Sequence, residues 1–128
     1  MKGYITHIEQ ATKENADYRR VVYTAKHSQL VLMSIAPGGE IGEEVHQLDQ
    51  FFRFESGQGK VVIDGVETEV KDGDAMVVPE GARHNVINDG ITALKLYTIY
   101  SPPNHKDKTI QATKADEYEE EFDGVTTE

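Results

Sequence analysis

Cysteine is absent from the 128 residues. That excludes a disulfide, a thiolate metal ligand and a cysteine nucleophile, and it fits a reducing compartment. Basic residues are scarce: 13 Lys and Arg stand against 23 Asp and Glu, for a formal net charge of -10. Nucleic acid and anionic membrane surfaces both require a basic face, so neither is an expected partner. No stretch approaches the roughly 18 apolar residues of a membrane span. The start, Met1-Lys2-Gly3-Tyr4-Ile5-Thr6-His7, carries no apolar signal-peptide segment, and the expectation is a cytoplasmic protein. Internal repeats and low-complexity linkers are missing too, which leaves one domain over residues 1–128.

What is present is a succession of short β-type segments. Tyr18 to Ala25 and Gln29 to Ala36 are rich in Val, Ile, Leu and Tyr, and Pro37-Gly38-Gly39 breaks the second. Gln50 to Glu55 is a short aromatic strand turned by Ser56-Gly57-Gln58-Gly59. Lys60 to Ile63 and Val66 to Val70 flank Asp64-Gly65, a strong two-residue hairpin signal. Ala75 to Val78, His84 to Ile87 and Ala93 to Tyr100 come next, separated by turns at Pro79-Glu80-Gly81 and Asn88-Asp89-Gly90. Many short strands at regular spacing predict an all-β sandwich or barrel. Gly57-Gln58-Gly59 is no phosphate loop, because neither a helix nor Lys-Ser/Thr comes after it.

The C-terminal segment differs. Residues 111–123 read as a short acidic helix, with Thr113 capping the first turn and Asp116 three residues on. Tyr118 and Phe122, four apart, would share the face that packs on the barrel. The acidic run itself reads as a solvated face.

Chemistry concentrates around two histidines. On a strand, residues two apart share a face. Glu44 and His46 then point one way with Leu48, Gln50, Phe52 and Phe54, while Glu43, Val45 and Asp49 point the other. His84, Val86 and Asn88 share a face by the same rule. An ion inside the barrel could be reached by Glu44, His46, Gln50 and His84. Two imidazoles and a carboxylate suit Fe, Mn, Co, Ni or Zn, and Gln50 could add a neutral oxygen. Asp49 is the rival fourth ligand, better chemically but turned away by strand parity. His7, His27 and His105 lack a spaced partner and read as ordinary hydrogen-bonded or surface residues. Phe52 and Phe54 either fill the barrel or line a substrate cavity above the metal. Arg53, Arg83 and Lys95 fall out of phase with the interior, so no inward cluster of basic residues is expected.

Both segments resemble the two motifs of the cupin superfamily. The second matches at Gly73, Pro79, Gly81, His84 and Asn88. The first pattern is glycine, His-x-His, three or four residues, Glu, then glycine; Gly39, His46 and Gly57 fit it, whereas Glu44 stands at the first His position and Gln50 at the Glu position. The resemblance spans roughly residues 28–101 and implies a small jelly-roll β-barrel. It also implies a metal shell, here altered. The usual three imidazoles and one carboxylate become two imidazoles, one carboxylate and one amide, and both sets carry one negative charge. That balance favours a working site over a degenerate one that binds no metal.

Two classes of function fit these residues. One is a metal-dependent enzyme on a small oxygenated molecule such as a sugar, a sugar acid or a related carbonyl compound. Isomerase, epimerase, lyase or dioxygenase chemistry fits, with the metal as Lewis acid and Glu44 as base if burial raises its pKa. The other is a barrel that binds a small ligand or metal without turnover. Sheet edges need covering, so a homodimer is the expected assembly.

Overall fold

The computed structural model describes residues 1–128. Nine strands come after one short helix: α1 (Ile8–Glu14), β1 (Arg19–Thr24), β2 (Gln29–Ile35), β3 (Asp49–Ser56), β4 (Gln58–Ile63), β5 (Val66–Lys71), β6 (Ala75–Val78), β7 (His84–Ile87), β8 (Leu94–Ser101) and β9 (Ile110–Gln111). They form two antiparallel sheets, one ordered β6-β3-β8-β2-β1-β9 and the other β5-β4-β7. The eight strands expected from the sequence are all present, with ends shifted by no more than two residues. No helix is long and apolar enough to cross a membrane.

Alternation explains the packing. Along β8 every second residue, Leu94, Leu96, Thr98 and Tyr100, is buried, and β3 buries Gln50, Phe52 and Phe54 in the same way. Val31, Met33 and Ile35 of β2 join them against Val61, Val70 and Val86 of the small sheet. Each fully buried Phe or Leu contributes about 1.5–3 kcal/mol by leaving water, so this seam between the sheets carries the fold.

Three turns set the strand order around the barrel. Asp64 and Gly65 both have positive φ (46° and 82°), the backbone of the tight β4–β5 hairpin that Asp-Gly predicts. Gly57 joins β3 to β4 with φ +90°, and a Cβ there would lie 2.5 Å from the Ala93 carbonyl oxygen. Only glycine satisfies both demands. Asn88, fully buried, donates to the carbonyls of Ile35 and Thr92 at 2.9 Å each and accepts from the Gly90 N–H, which holds the β7–β8 turn.

The two ends of the chain depart from expectation. Residues 111–123 do not form a continuous helix. A single 3-10 turn spans Lys114–Asp116, with the Thr113–Asp116 capping box in place. Beyond it the chain runs extended: Lys106 N–H donates to Glu120 O at 3.1 Å and Phe122 N–H to Asn104 O at 3.0 Å. Tyr118 and Phe122 therefore share no helical face, and Tyr118 is half exposed. Three consecutive glutamates with no apolar stripe gave a longer helix nothing to bury. At the other end, α1 packs on β3 and β8. Its sequence, IEQATKE, is short and polar, with Lys13 paired to Glu9 one turn back, so no apolar period marks it.

Candidate metal centre

The segment before β3 is irregular, yet burial alternates through it: Glu44, His46, Leu48 and Gln50 turn inward while Glu43, Val45, Gln47 and Asp49 turn out. Parity holds because both ends are pinned. Glu44 exchanges backbone hydrogen bonds with His84, at 2.9 and 3.0 Å, and Gln50 lies in the ladder between Val78 and Tyr100. Between them, Gly81 N–H donates to the His46 carbonyl at 2.9 Å. The two motif segments are thus stitched together by backbone, which brings the side chains of Glu44, His46 and His84 to one place.

The imidazoles of His46 and His84 lie with centroids 5.4 Å apart. His84 is buried, and its Nδ1 lies 3.1 Å from the Ala82 carbonyl oxygen. That bond places the proton on Nδ1 and leaves Nε2 as the free lone pair, the tautomer a metal-binding histidine needs. His46 Nε2 instead meets Glu44 Oε2 at 2.7 Å. Burial pushes the Glu44 carboxyl up, but the hydrogen bond to His46 and the charge of Arg19 outweigh it and hold it below the ordinary carboxylate value. This corrects the expectation of a base with a raised pKa: Glu44 is a well-stabilised carboxylate.

Gln50 is 3% exposed. Its Nε2 donates to Thr98 Oγ1 at 2.9 Å, and its Oε1 is buried with no partner. Such an orphan acceptor costs about 1–3 kcal/mol, and its side chain lies on the inward face of β3. Asp49 is accounted for elsewhere: its Oδ1 accepts the Glu80 N–H at 2.9 Å, fastening the turn that leads to His84.

These donors suit a divalent ion in kind: a free imidazole nitrogen, an unpartnered amide oxygen, a second imidazole and a carboxylate. As the side chains stand, no three of the chain's His, Asp or Glu residues are grouped to hold one. The Glu44–His46 contact ties up both groups, so they would have to part to share an ion.

Of the two places open to Phe52 and Phe54, the structure puts them in the core. Both are core residues, stacked on each other at 6.5 Å, with the Phe52 ring edge-on to His84 at 6.3 Å. Phe52 packs against the His84 imidazole. A cavity of about 510 Å³ lies between the Glu43–His46 segment and the C-terminal strap, with Arg19 and His105 on its walls.

That cavity brings in residues the sequence did not single out. Arg19 is 3% exposed and donates from Nη1 to Gln111 Oε1 at 2.7 Å and to Glu117 Oε2 at 3.0 Å. Lys114 reaches Glu117 Oε1 at 2.6 Å and the Ile41 carbonyl at 2.5 Å, which ties the strap to the barrel rim. Tyr100 is buried, and its hydroxyl lies 3.2 Å from His105 Nε2. Burial raises the Tyr100 phenol and lowers the His105 imidazole to about 3, so both stay neutral. His105 is hydrogen-bonded as expected, but as part of the cavity wall. Arg19 comes after a tyrosine at the start of a strand, and its pairing with Gln111 and Glu117 spans more than ninety residues, so no local pattern marks it.

Two motifs, an inward imidazole pair and two facing sheets now stand together, and the family model for the cupin domain matches residues 31–100. The chain belongs to the cupin family. It is 46% identical over 122 residues to the uncharacterized protein YrkC of Bacillus subtilis (strain 168), covering 90% of this chain and 66% of that one. A Bacillus halodurans protein solved by crystallography is 43% identical with a TM-score of 0.88, covering 90% of this chain and 92% of that one. A predicted oxalate decarboxylase from Thermotoga maritima shares the fold at 23% identity and a TM-score of 0.58, covering 60% of this chain and 68% of that one. This cupin thus spans about two thirds of the length of YrkC.

Proposed function

We propose that this cupin is a metal-dependent enzyme acting on a small oxygenated molecule: a sugar, a sugar acid or a related carbonyl compound. Isomerase, epimerase, lyase or dioxygenase chemistry fits the proposed site. The observations that carry the reading are the buried, unpartnered Oε1 of Gln50 on the inward face of β3 and the free Nε2 of His84, whose ring lies with its centroid 5.4 Å from that of His46. Glu44, His46, Gln50 and His84 would hold the ion. Bound there, a divalent metal would polarise a carbonyl or hydroxyl oxygen of the substrate.

The chain's own groups supply the rest. Glu44, kept ionised, would accept a proton at a carboxylate oxygen on leaving the ion, since its 2.7 Å contact with His46 and its hold on the ion exclude each other. The Ala82 carbonyl fixes the ring of His84. The strap over residues 114–121 walls one side of the cavity.

A second reading, a barrel that binds a ligand or metal without turnover, is favoured by the direct Glu44–His46 contact. The two separate in one assay series. Metal-loaded and chelator-treated protein are compared for oxygen uptake and for turnover of a panel of aldoses, ketoses and sugar acids. Metal-dependent turnover supports the enzyme; saturable binding without turnover supports the module.

The assembly proposed is a homodimer. The edge strands β5, β6 and β9 expose Val66, Val77 and Ile110, and an uncovered apolar edge invites pairing. Sedimentation at twice the chain mass is the expected result; a monomer at micromolar concentration would rule the dimer out.

A further inference from the structure

We propose that the strap over residues 114–121 is a hinged flap, latched by the Glu117 carboxylate, whose opening admits ligand to the cavity beside Glu44 and His46. Both of its ends are fixed by backbone. Tyr18 N–H donates to the Ala112 carbonyl at 3.1 Å, and Phe122 N–H to the Asn104 carbonyl at 3.0 Å. Between them every residue is exposed except Glu117, which is partly buried. Its carboxylate takes two donors from the barrel, Arg19 Nη1 at 3.0 Å and the Tyr18 hydroxyl at 3.2 Å, and Lys114 Nζ of the strap at 2.6 Å. Single hydrogen bonds complete the attachment: Lys114 Nζ to Ile41 O at 2.5 Å, Gln111 Nε2 to Tyr118 O at 3.0 Å and Lys106 N–H to Glu120 O at 3.1 Å.

Such a segment opens at a fraction of the cost of unfolding the barrel, because no apolar side chain has to leave a buried place. Exposed pairs hold weakly. The bond from Arg19 to Glu117 holds best, since it is charge-assisted and the guanidinium is buried. Elsewhere charge works against closure: Glu119, Glu120 and Glu121 share the cavity walls with Glu43 and Glu44, and like charges repel. Releasing Glu117 therefore takes away the wall that faces the Glu43–His46 segment. Entry to the cavity is what the latch controls, and it needs neither a metal nor turnover.

The test uses the metal-free full chain, so it can fail independently of the metal site. Amide hydrogen exchange is followed residue by residue by NMR. The Lys106 N–H, freed when the strap lifts, should exchange faster than the ladder amides of β3 and β8. Low urea should leave its rate unchanged while theirs rise. Glu117→Ala should speed it by about tenfold or more, and Glu117→Gln, which keeps an acceptor oxygen, by less. In the same proteins, acylation by diethyl pyrocarbonate is read by peptide mass spectrometry. His46 should react faster in Glu117→Ala, while the exposed His7 and His27 keep their parent rates. Lys106 exchange that responds to urea as the barrel amides do would overturn the flap. Exchange unchanged in both variants would remove Glu117 as the latch. Faster Lys106 exchange with unchanged His46 acylation would show that the strap does not control entry.

Discussion

Gly81 donates its backbone N–H to the carbonyl of His46 at 2.9 Å, so the turn that delivers one imidazole is fastened to the loop that carries the other. Gly81 has φ +86°, and nothing lies within 4 Å of where a Cβ would stand. Strain alone then acts in Gly81→Ala, about 1–2 kcal/mol from the left-handed backbone, and urea unfolding should show that loss. Gly57→Ala adds a 2.5 Å clash with the Ala93 carbonyl and should cost clearly more. Equal losses would mean that the close approach at Gly57 relaxes freely.

Gln50 separates structure from chemistry. Gln50→Leu removes the orphan oxygen together with the Thr98 hydrogen bond. The metal-free variant should unfold within about 1 kcal/mol of the parent, since the two changes offset. Its affinity for a divalent ion, read by calorimetry, should fall. Gln50→Glu supplies a charged oxygen at the same place and should raise that affinity. A Leu variant that binds metal as well as the parent would remove Gln50 from the ligand set.

Acidification should destabilise the fold in a defined order. Burial holds the folded His105 at about 3, against an ordinary imidazole value of 6.5. Between those values the unfolded chain binds the extra proton, so stability falls as pH drops from about 6.5. Glu44 and Glu117 have folded pKa values below 4.5. Their contribution is present above that value and is lost as pH falls through the lowered ones. His105→Asn should flatten the upper part of the slope and leave the lower part. Thermal melts from pH 7 down to about pH 2.5 check this; an unchanged upper slope would show that His105 is not the group responsible.

What the sequence disclosed and what it hid divide along contact range. Strands read correctly because alternation is local: Gln50, Phe52 and Phe54 turn inward by parity with no partner consulted. The same parity excluded Asp49, which the structure uses to hold the Glu80 N–H. The cupin motifs placed His46 and His84 near each other, since turn glycines at fixed spacing mark where the chain reverses. Arg19 stayed invisible because its environment is assembled from Gln111, Glu117 and Lys114 at the far end of the chain. The ionised state of Glu44 was hidden for a related reason: burial was foreseeable, but the direct hydrogen bond to His46 and the charge of Arg19 were not. The strap over residues 114–121 misled through composition, as acidic residues after a good cap read as a helix even where nothing apolar supports one.

Metal occupancy is the most direct test of the centre proposed here. It is measured on the full chain purified without chelator or metal-affinity columns, beside His84→Ala and Glu44→Ala. Near-stoichiometric Fe, Mn, Ni or Zn is expected in the parent, with loss of the ion in both variants. A parent that is empty, and stays empty when titrated with divalent ions, would refute the metal centre and leave a metal-free binding barrel.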